Sequence, residues 1–294
     1  MASLKHHIEY LATKCGFGLV NLMSPKRADS FGKFLGRLFS RVLPKRKQIA
    51  LDNLRIAFKE TKTDAEYEAI AIKSFENIGQ TFIDMARFHK ISLSKLKENV
   101  CCSDLSPLDK AQSEQKGAII ATAHFGHWEM AGGWVYAMDY PIDIVVKIQS
   151  NLLVDNLIAQ LRQNLKFGQI QTKVSTLRDI MTSLKNNRFV VLAADQHDPS
   201  ENLLLDFFGK KASVAKGPAV FARKQNCPII PAVMRRAGFN EYEVHIAEGI
   251  YPSDLVDEKA DIERMTKEYL AFLENIITKY PDQWMWTHRR WKLK

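Results

Sequence analysis

Gly117-Ala118-Ile119-Ile120-Ala121-Thr122-Ala123-His124-Phe125-Gly126-His127-Trp128-Glu129 is the stretch from which the rest of the chain is read. Its first half is a short apolar run opened by glycine, the pattern of a buried strand. Its second half leads into Met130 to Met138, small and apolar, which predicts a packed helix in spite of the weakening pair Gly132 and Gly133. His124 is expected at the end of the strand and Glu129 in the first turn of the helix, so the turn can fold the carboxylate back onto the imidazole. A carboxylate on one ring nitrogen fixes the tautomer and makes the other nitrogen a better base towards a hydroxyl. Two plainer readings stay open on spacing alone. His124 can be a structural histidine with Glu129 complementing a helix dipole. Alternatively, His124, His127 and Glu129 can be metal ligands, although their spacing is not that of a helical His-Glu-x-x-His and no Cys/His cluster completes a shell.

Outward from this stretch, the text beyond Leu93 alternates strands and helices. Strands are expected at Ile142–Ile148, Gln169–Lys173, Phe189–Ala194, Ile229–Met234 and Tyr242–Ile250. Helices are expected at Leu152–Leu165, Val174–Lys185, Pro218–Gln225 and Asp257–Tyr280, with a loop running to Ala215. The alternation predicts an α/β fold, a mixed-direction central sheet flanked by helices, with ligands at the strand carboxyl ends. His124 and Asp195 both follow buried strands, which brings them to one edge. The expected division is an N-terminal helical, membrane-proximal region over 1–113 and an α/β catalytic region over 114–294, together one compact unit. There is no internal repeat or low-complexity linker.

The 294 residues carry a net charge of +9, and it is unevenly spread. Residues 1–60 hold twelve Lys/Arg against four Asp/Glu, a local charge of +8 that leaves +1 for the remainder. Such an end suits anionic lipid head groups or nucleic acid. Ile8 to Met23 repeats Leu11, Cys15, Leu19 and Leu22 at helical spacing, but its uncharged part, Cys15 to Pro25, is too short to span a bilayer. An in-plane amphipathic helix or a helix packed on the domain is expected instead. Phe31, Phe34, Leu35, Leu38, Phe39 and Val42 share one face of a second helix ended by Pro44, and Asp64 is expected to cap a long helix through Arg87. Four cysteines without framework spacing, and no signal-peptide pattern, predict reduced thiols in the cytosol.

The wider sequence resembles the bacterial lipid A biosynthesis (lauroyl/myristoyl) acyltransferase family, within the glycerolipid acyltransferase superfamily. The resemblance rests on His124-x4-Glu129 together with Asn53-Leu54-Arg55-Ile56-Ala57-Phe58, Ala194-Asp195-Gln196, Phe207-Phe208-Gly209, Lys216-Gly217-Pro218-Ala219 and Pro281 to Trp291, in family order across nearly the whole chain. His127 departs from a common Asn, Lys147 from a common Arg and Ser213 from the usual Thr. The single membrane helix often found at the N-terminus is also missing.

The resemblance implies acyl transfer from a thioester on acyl carrier protein or coenzyme A to a hydroxyl of a lipid acceptor, a lipid A precursor before a lysophospholipid or glycolipid. His124 and Glu129 are the implied catalytic pair, with no metal and no cofactor. Arg162 is expected to hold phosphate or support the oxyanion, or else to form a surface ion pair. Asp195-Gln196 is expected to orient an arginine or bind the acceptor, or simply to cap a turn. Phe207-Phe208-Gly209 with Ser213 looks like an acceptor loop in which two aromatics cover an apolar chain. Lys216-Gly217-Pro218 is expected to open a helix whose N-terminus attracts phosphate or is simply capped. The tail Trp284, Trp286, His288, Arg289, Arg290 and Trp291 interleaves tryptophan with cations, a pattern shared by membrane interfaces and nucleic-acid stacking surfaces. No recognition motif accompanies the second, so an anionic membrane surface is the expected partner and nucleic acid is not. The implied location is the cytoplasmic face of the bacterial inner membrane, held peripherally or by a short N-terminal anchor. A non-catalytic protein of the membrane surface is the reading from a different class.

Overall fold

The computed structural model describes residues 3–59, 61–196, 203–255 and 257–292. Four helices come first: α1 (Leu4–Asn21), α2 (Pro25–Val42), α3 (Pro44–Phe58) and α4 (Asp64–Met85). Proline opens α2 and α3, where its missing N–H costs nothing. The cap of α4 is Thr63, not Asp64: Thr63 Oγ1 accepts from Glu66 N at 3.3 Å, and Glu66 Oε2 accepts from Thr63 N at 2.7 Å. That reciprocal box satisfies two terminal donors at once, and Asp64 falls in the first turn.

The α/β part follows as α5 (Leu93–Asn99), β1 (Val100–Cys102), α6 (Ser106–Ser113), β2 (Ala118–Thr122), α7 (Trp128–Ala137), β3 (Ile142–Val146) and α8 (Leu152–Gln163). After these come β4 (Gly168–Gln171), α9 (Thr176–Lys185), β5 (Phe189–Ala193), β6 (Leu203–Phe207), β7 (Lys210–Val214), α10 (Gly217–Gln225), β8 (Ile229–Gly238), β9 (Glu241–Ile246) and α11 (Glu258–Lys279). Seven strands form one sheet in the order β1-β9-β8-β2-β5-β3-β4, parallel throughout except for β8 against β9. The expected mixed α/β sheet is therefore what the chain builds. Its period-2 alternation sorts side chains between two apolar layers. Ile119 and Ala121 of β2 join one layer, with Val190, Ile229 and Val233. Ala118 and Ile120 join the other, with Phe189, Val191, Ile230 and Met234.

The cap of α4 is not the only expectation to fail. The segment before Ala215 is not a plain loop, because β6 and β7 pair as an antiparallel hairpin. Its two-residue turn is Phe208-Gly209, with φ of 54° and 71°, the doubly left-handed geometry of a type I′ turn. Phenylalanine is a poor residue for that position, so the turn carried no recognisable signature.

The shared apolar face of α2 turns mostly outward: Phe34, Leu38, Phe39 and Val42 are exposed, while Phe31 and Leu35 pack against the small cluster of Val20, Ala28, Ile83 and Ala86. The buried face is the small-residue row Ala28, Gly32, Gly36 and Ser40, which lies against α4. The crossing is tight enough that a Cβ on Gly36 would stand 2.3 Å from the Phe75 carbonyl oxygen. A side chain there forces two backbones apart, whereas Gly16 of α1 has nothing within 4 Å of a built Cβ. Gly36→Val should therefore destabilise the protein by about 1–3 kcal/mol through overpacking. Gly16→Ala should be neutral or stabilise by about 0.5–1 kcal/mol. Denaturant unfolding of the two variants tests this, and equal effects would sink the close-crossing argument.

Candidate active site

His124 lies two residues beyond the end of β2, and Asp195 lies two residues beyond the end of β5. The strands are parallel neighbours with Thr122 opposite Ala193, so equal offsets carry the two residues to the same place. His124 Nδ1 is 2.9 Å from Asp195 Oδ1, and His124 N donates to Asp195 Oδ2 at 3.0 Å. The carboxylate is completely buried and also accepts from Trp284 Nε1 at 2.8 Å. Three donors hold it as the anion: burial works to raise its pKa, but His124 and the hydrogen bonds hold it below the usual carboxylate value. An acceptor-only partner places the proton on Nδ1 and leaves Nε2 as the basic nitrogen. That tautomer has no Nδ1 lone pair to offer the Gln196 amide nitrogen 3.1 Å away, so Gln196 flanks the ring without accepting its role as a partner.

Glu129 does not fold back onto His124. Its two oxygens accept from Arg162 Nε at 2.8 Å and Nη2 at 2.6 Å, a bidentate fork that matches carboxylate geometry. The residue that the turn brings beside the imidazole is Trp128, whose ring meets it edge-on at 5.5 Å. Glu129 acts on His124 only through its charge. Burial depresses the imidazole pKa, while Asp195 and then Glu129 raise it, and the net direction is up.

The loop that presents His124 is clamped from several sides. Gly126 has φ of 52°, and a Cβ on it would stand 2.0 Å from the Met234 carbonyl oxygen, so only glycine fits. Its N–H donates to Gln283 O at 2.8 Å, and its carbonyl accepts from Asn77 Nδ2 at 3.0 Å and Thr81 Oγ1 at 3.3 Å. His127 is fully buried between Phe88 and Tyr242, its Nε2 at 3.4 Å from Asp84 Oδ2. Burial and the nearby Arg236 push its pKa down to about 4, so it is a neutral packing residue. Asp84 is held at about 2: burial opposes its charge, but Arg236, at 2.8 Å, and His127 outweigh it. His124, His127 and Glu129 thus face three different partners. Among the described residues no group of three or more His, Cys, Asp or Glu is placed to hold a metal ion.

Next to His124 opens an apolar cavity of about 370 Å³. It is lined by His124, Trp128, Glu129 and Arg162, with exposed Phe82 and Lys147, and reaches buried Trp134, Ile142, Phe167 and Met234. Gly132 and Gly133 let α7 approach the Ile144, Leu165 and Phe167 side chains along this wall.

Of the residues singled out in the sequence, His124, Glu129 and Arg162 line this cavity, Asp195 supports His124 from behind, and Gln196 stands beside the ring. The other expected binding residues do not line it. Phe207 and Phe208 are core residues: Phe207 stacks on Trp291 at 5.8 Å and meets Trp284 at 5.9 Å, so neither phenylalanine is free to cover a ligand chain. Gly209 completes the hairpin turn, Ser213 is buried in β7 with its carbonyl accepting from Arg290, and Lys216 caps α10. The tail tryptophans are buried as well, at 2% exposure for Trp284, 0% for Trp286 and 8% for Trp291, so they form no interfacial or base-stacking surface. The α4 clamp residues Asn77 and Thr81 carried no signal in the sequence, and Trp284, read there as part of a surface tail, belongs to the site.

The family model for bacterial lipid A biosynthesis acyltransferases matches residues 2–293. The lipid A biosynthesis palmitoleoyltransferase of Escherichia coli (strain K12) is 24% identical over 298 residues, covering 98% of this chain and 93% of the relative. The lipid A biosynthesis lauroyltransferase of the same organism is 24% identical over 295 residues, covering 98% and 94%. The phosphatidylinositol mannoside acyltransferase of Mycobacterium tuberculosis (strain ATCC 25618 / H37Rv) is 24% identical over 228 residues, covering 74% and 69%.

The two histidines should titrate apart. In histidine-selective NMR, His124 should protonate at higher pH than a free imidazole, and His127 should stay neutral down to about 4. Asp195→Asn should bring the His124 midpoint down, because it removes the charge that favours imidazolium. A His124 midpoint that ignores Asp195→Asn would contradict the pairing.

Proposed function

The chain belongs to the bacterial lipid A biosynthesis acyltransferase family, and on that premise we propose that it moves a fatty acyl chain from a thioester, on acyl carrier protein or coenzyme A, to a hydroxyl of a lipid A precursor. Acyl transfer to a lipid acceptor follows from the family. The observation that carries the finer reading is the 2.9 Å contact of His124 Nδ1 with Asp195 beside an apolar cavity. The cavity suits an acyl chain, and the imidazole at its edge suits a hydroxyl that must lose a proton.

In this reading His124 Nε2 takes the proton of the acceptor hydroxyl as its oxygen attacks the thioester carbonyl carbon. The tetrahedral oxyanion then collapses, the C–S bond breaks, and the thiolate leaves with the proton returned from the imidazolium. Asp195 fixes the tautomer and stabilises the imidazolium. Arg162 is the cation assigned to the oxyanion or to an acceptor phosphate, and Glu129 holds its fork in position. The His124–Glu129 dyad expected from spacing is thereby replaced by two pairs, His124–Asp195 and Arg162–Glu129. A lipid A precursor is preferred because the two named lipid A relatives each cover nearly the whole chain. A glycolipid acceptor, as in the mannoside enzyme's name, is the alternative outcome of the same assay.

The acceptor is met, in this reading, at the anionic cytoplasmic face of a membrane to which the protein binds peripherally. No helix among the described residues is long and apolar enough to cross a membrane. The outward face of α2, the exposed Leu4, Ile8, Leu11 and Leu19 of α1 and Leu22 just after it offer apolar surface in the part of the chain that carries the +8 charge. Asn151, at the start of α8, donates to the His6 carbonyl oxygen at 2.9 Å, so α1 packs on the helix that supplies Ile158 and Arg162 to the cavity.

Purified protein given acyl thioester and a lipid A precursor should release thiol and form acylated product. His124→Ala and Asp195→Asn should each lower that rate by about 10²–10⁴-fold while leaving the fold intact. A His124→Ala enzyme that still transfers acyl chains normally would remove the mechanism. The rate should fall as pH drops through the raised pKa of His124, since protonated imidazole accepts no proton.

Sedimentation with anionic vesicles tests the membrane reading. Each Lys or Arg near the surface contributes about 1 kcal/mol and is screened by salt, while the apolar face is not. High salt should loosen the protein, and Phe34→Ser with Phe39→Ser in high salt should release it. Binding unchanged by either would place the contact elsewhere.

A further inference from the structure

The tail from Pro281 to Trp291, read in the sequence as a surface feature, is an internal strap. Asn53 Nδ2 donates to Trp286 O at 2.8 Å and to His288 O at 2.6 Å, and Ser74 Oγ donates to Trp284 O. From these fixed points the strap crosses behind the catalytic loop. Gln283 O accepts from Gly126 N at 2.8 Å, Phe125 bridges Trp284, and Met285 N donates to His124 O at 3.0 Å. Trp284 then reaches Asp195 Oδ2 with its indole N–H at 2.8 Å, while Oδ1 of the same carboxylate holds His124. Its ring is pinned by Trp286 at 4.6 Å and Phe207 at 5.9 Å. Three consecutive residues of one segment therefore touch His124, the loop that carries it, and the carboxylate that orients it.

We propose that Trp284 is a positioning residue for the His124–Asp195 pair, and that segment 283–285 sets the geometry and basicity of the general base. The inference rests on the reading of His124 as that base. Indole donates and never accepts, so at Oδ2 it can only favour the ionised carboxylate and share its charge. It also closes off Oδ2, leaving Oδ1 as the oxygen on which the imidazole settles. Arg290, 1% exposed and 4.9 Å from the Phe207 ring, adds a buried cation on the same strap.

Trp284→Phe keeps an aromatic ring and deletes the N–H. With one donor lost, Asp195 concentrates its charge on the imidazolium and raises the His124 pKa further. The acid limb of the pH–rate profile should move to higher pH, kcat should fall by about 10–100-fold, and the donor KM should stay within about twofold. Trp286→Phe is the control: its indole donates to Pro281 O, not to the pair, so it should leave the acid limb in place. A folded Trp284→Phe with unchanged kcat and pH profile overturns the proposal. So does a loss of rate with an unmoved limb that Trp286→Phe reproduces, because that is the signature of packing alone.

Should Trp284→Phe fail to fold by circular dichroism, the unmutated chain decides. In 15N-tryptophan-labelled protein, the Trp284 indole resonance should follow the titration of His124, and a flat resonance overturns the proposal. Normal acyl transfer by His124→Ala, by contrast, removes the general-base reading while the Trp284 resonance still reports the contact, so the two failures are distinguishable.

Discussion

The carboxylate of Asp195 accepts hydrogen bonds from His124 Nδ1, His124 N and Trp284 Nε1 with no access to solvent. An isolated buried carboxylate is too costly to persist and would take up a proton. Here three donors substitute for water, and the arrangement fails as a unit if one is misplaced. Two of the donors belong to His124, which the register of β2 against β5 and the loop after β2 bring to the carboxylate, and the third is the indole of the strap that crosses behind that loop. The fold is the means by which His124, Asp195 and Trp284, distant in sequence, meet.

That construction explains what could be read from the sequence. Buried strands announce themselves by composition, so β2, β5 and β8 were legible, and with them the presence of His124 and Asp195 at strand ends. The choice of His124's partner was not. Covalent spacing favours Glu129, five positions on, but which carboxylate reaches a ring is decided by strand order, and strand order is not a local property. With β5 known to neighbour β2, the equal two-residue offsets of His124 and Asp195 select Asp195 at once. Glu129 then goes to Arg162, whose fork is the better match for a carboxylate entering α7.

The other misreadings share one cause: aromatic and apolar residues do not say which way they face. Phe207 and Phe208 looked like a cover for a ligand and are core, because the hairpin carrying them folds onto the strap tryptophans. Trp284, Trp286 and Trp291 looked interfacial and are buried for the same reason. In α2 the shared apolar face did not show its direction either, and Phe34, Leu38 and Phe39 turn outward. Large side chains usually win the inward face, but glycines at 32, 36 and 79 allow a backbone approach that they would prevent. The helix therefore turns its small residues in and its large ones out.

This inversion joins the exposed helices to the site through α4. One side of α4 takes the glycine-lined crossing with α2, and the other sends Asn77 and Thr81 to the Gly126 carbonyl and Ser74 to the strap. Asn53 of α3 fixes the strap further along, which gives the Asn53-Leu54-Arg55 segment a structural meaning that its sequence did not show. On the proposed membrane reading, the helix that meets lipid and the loop that carries His124 pack on two sides of α4. Four-residue contacts of this kind are stiff, since close-packed interiors transmit displacement and do not absorb it. On that reading a displacement of α2 would pass through α4 to the Gly126 loop that presents His124.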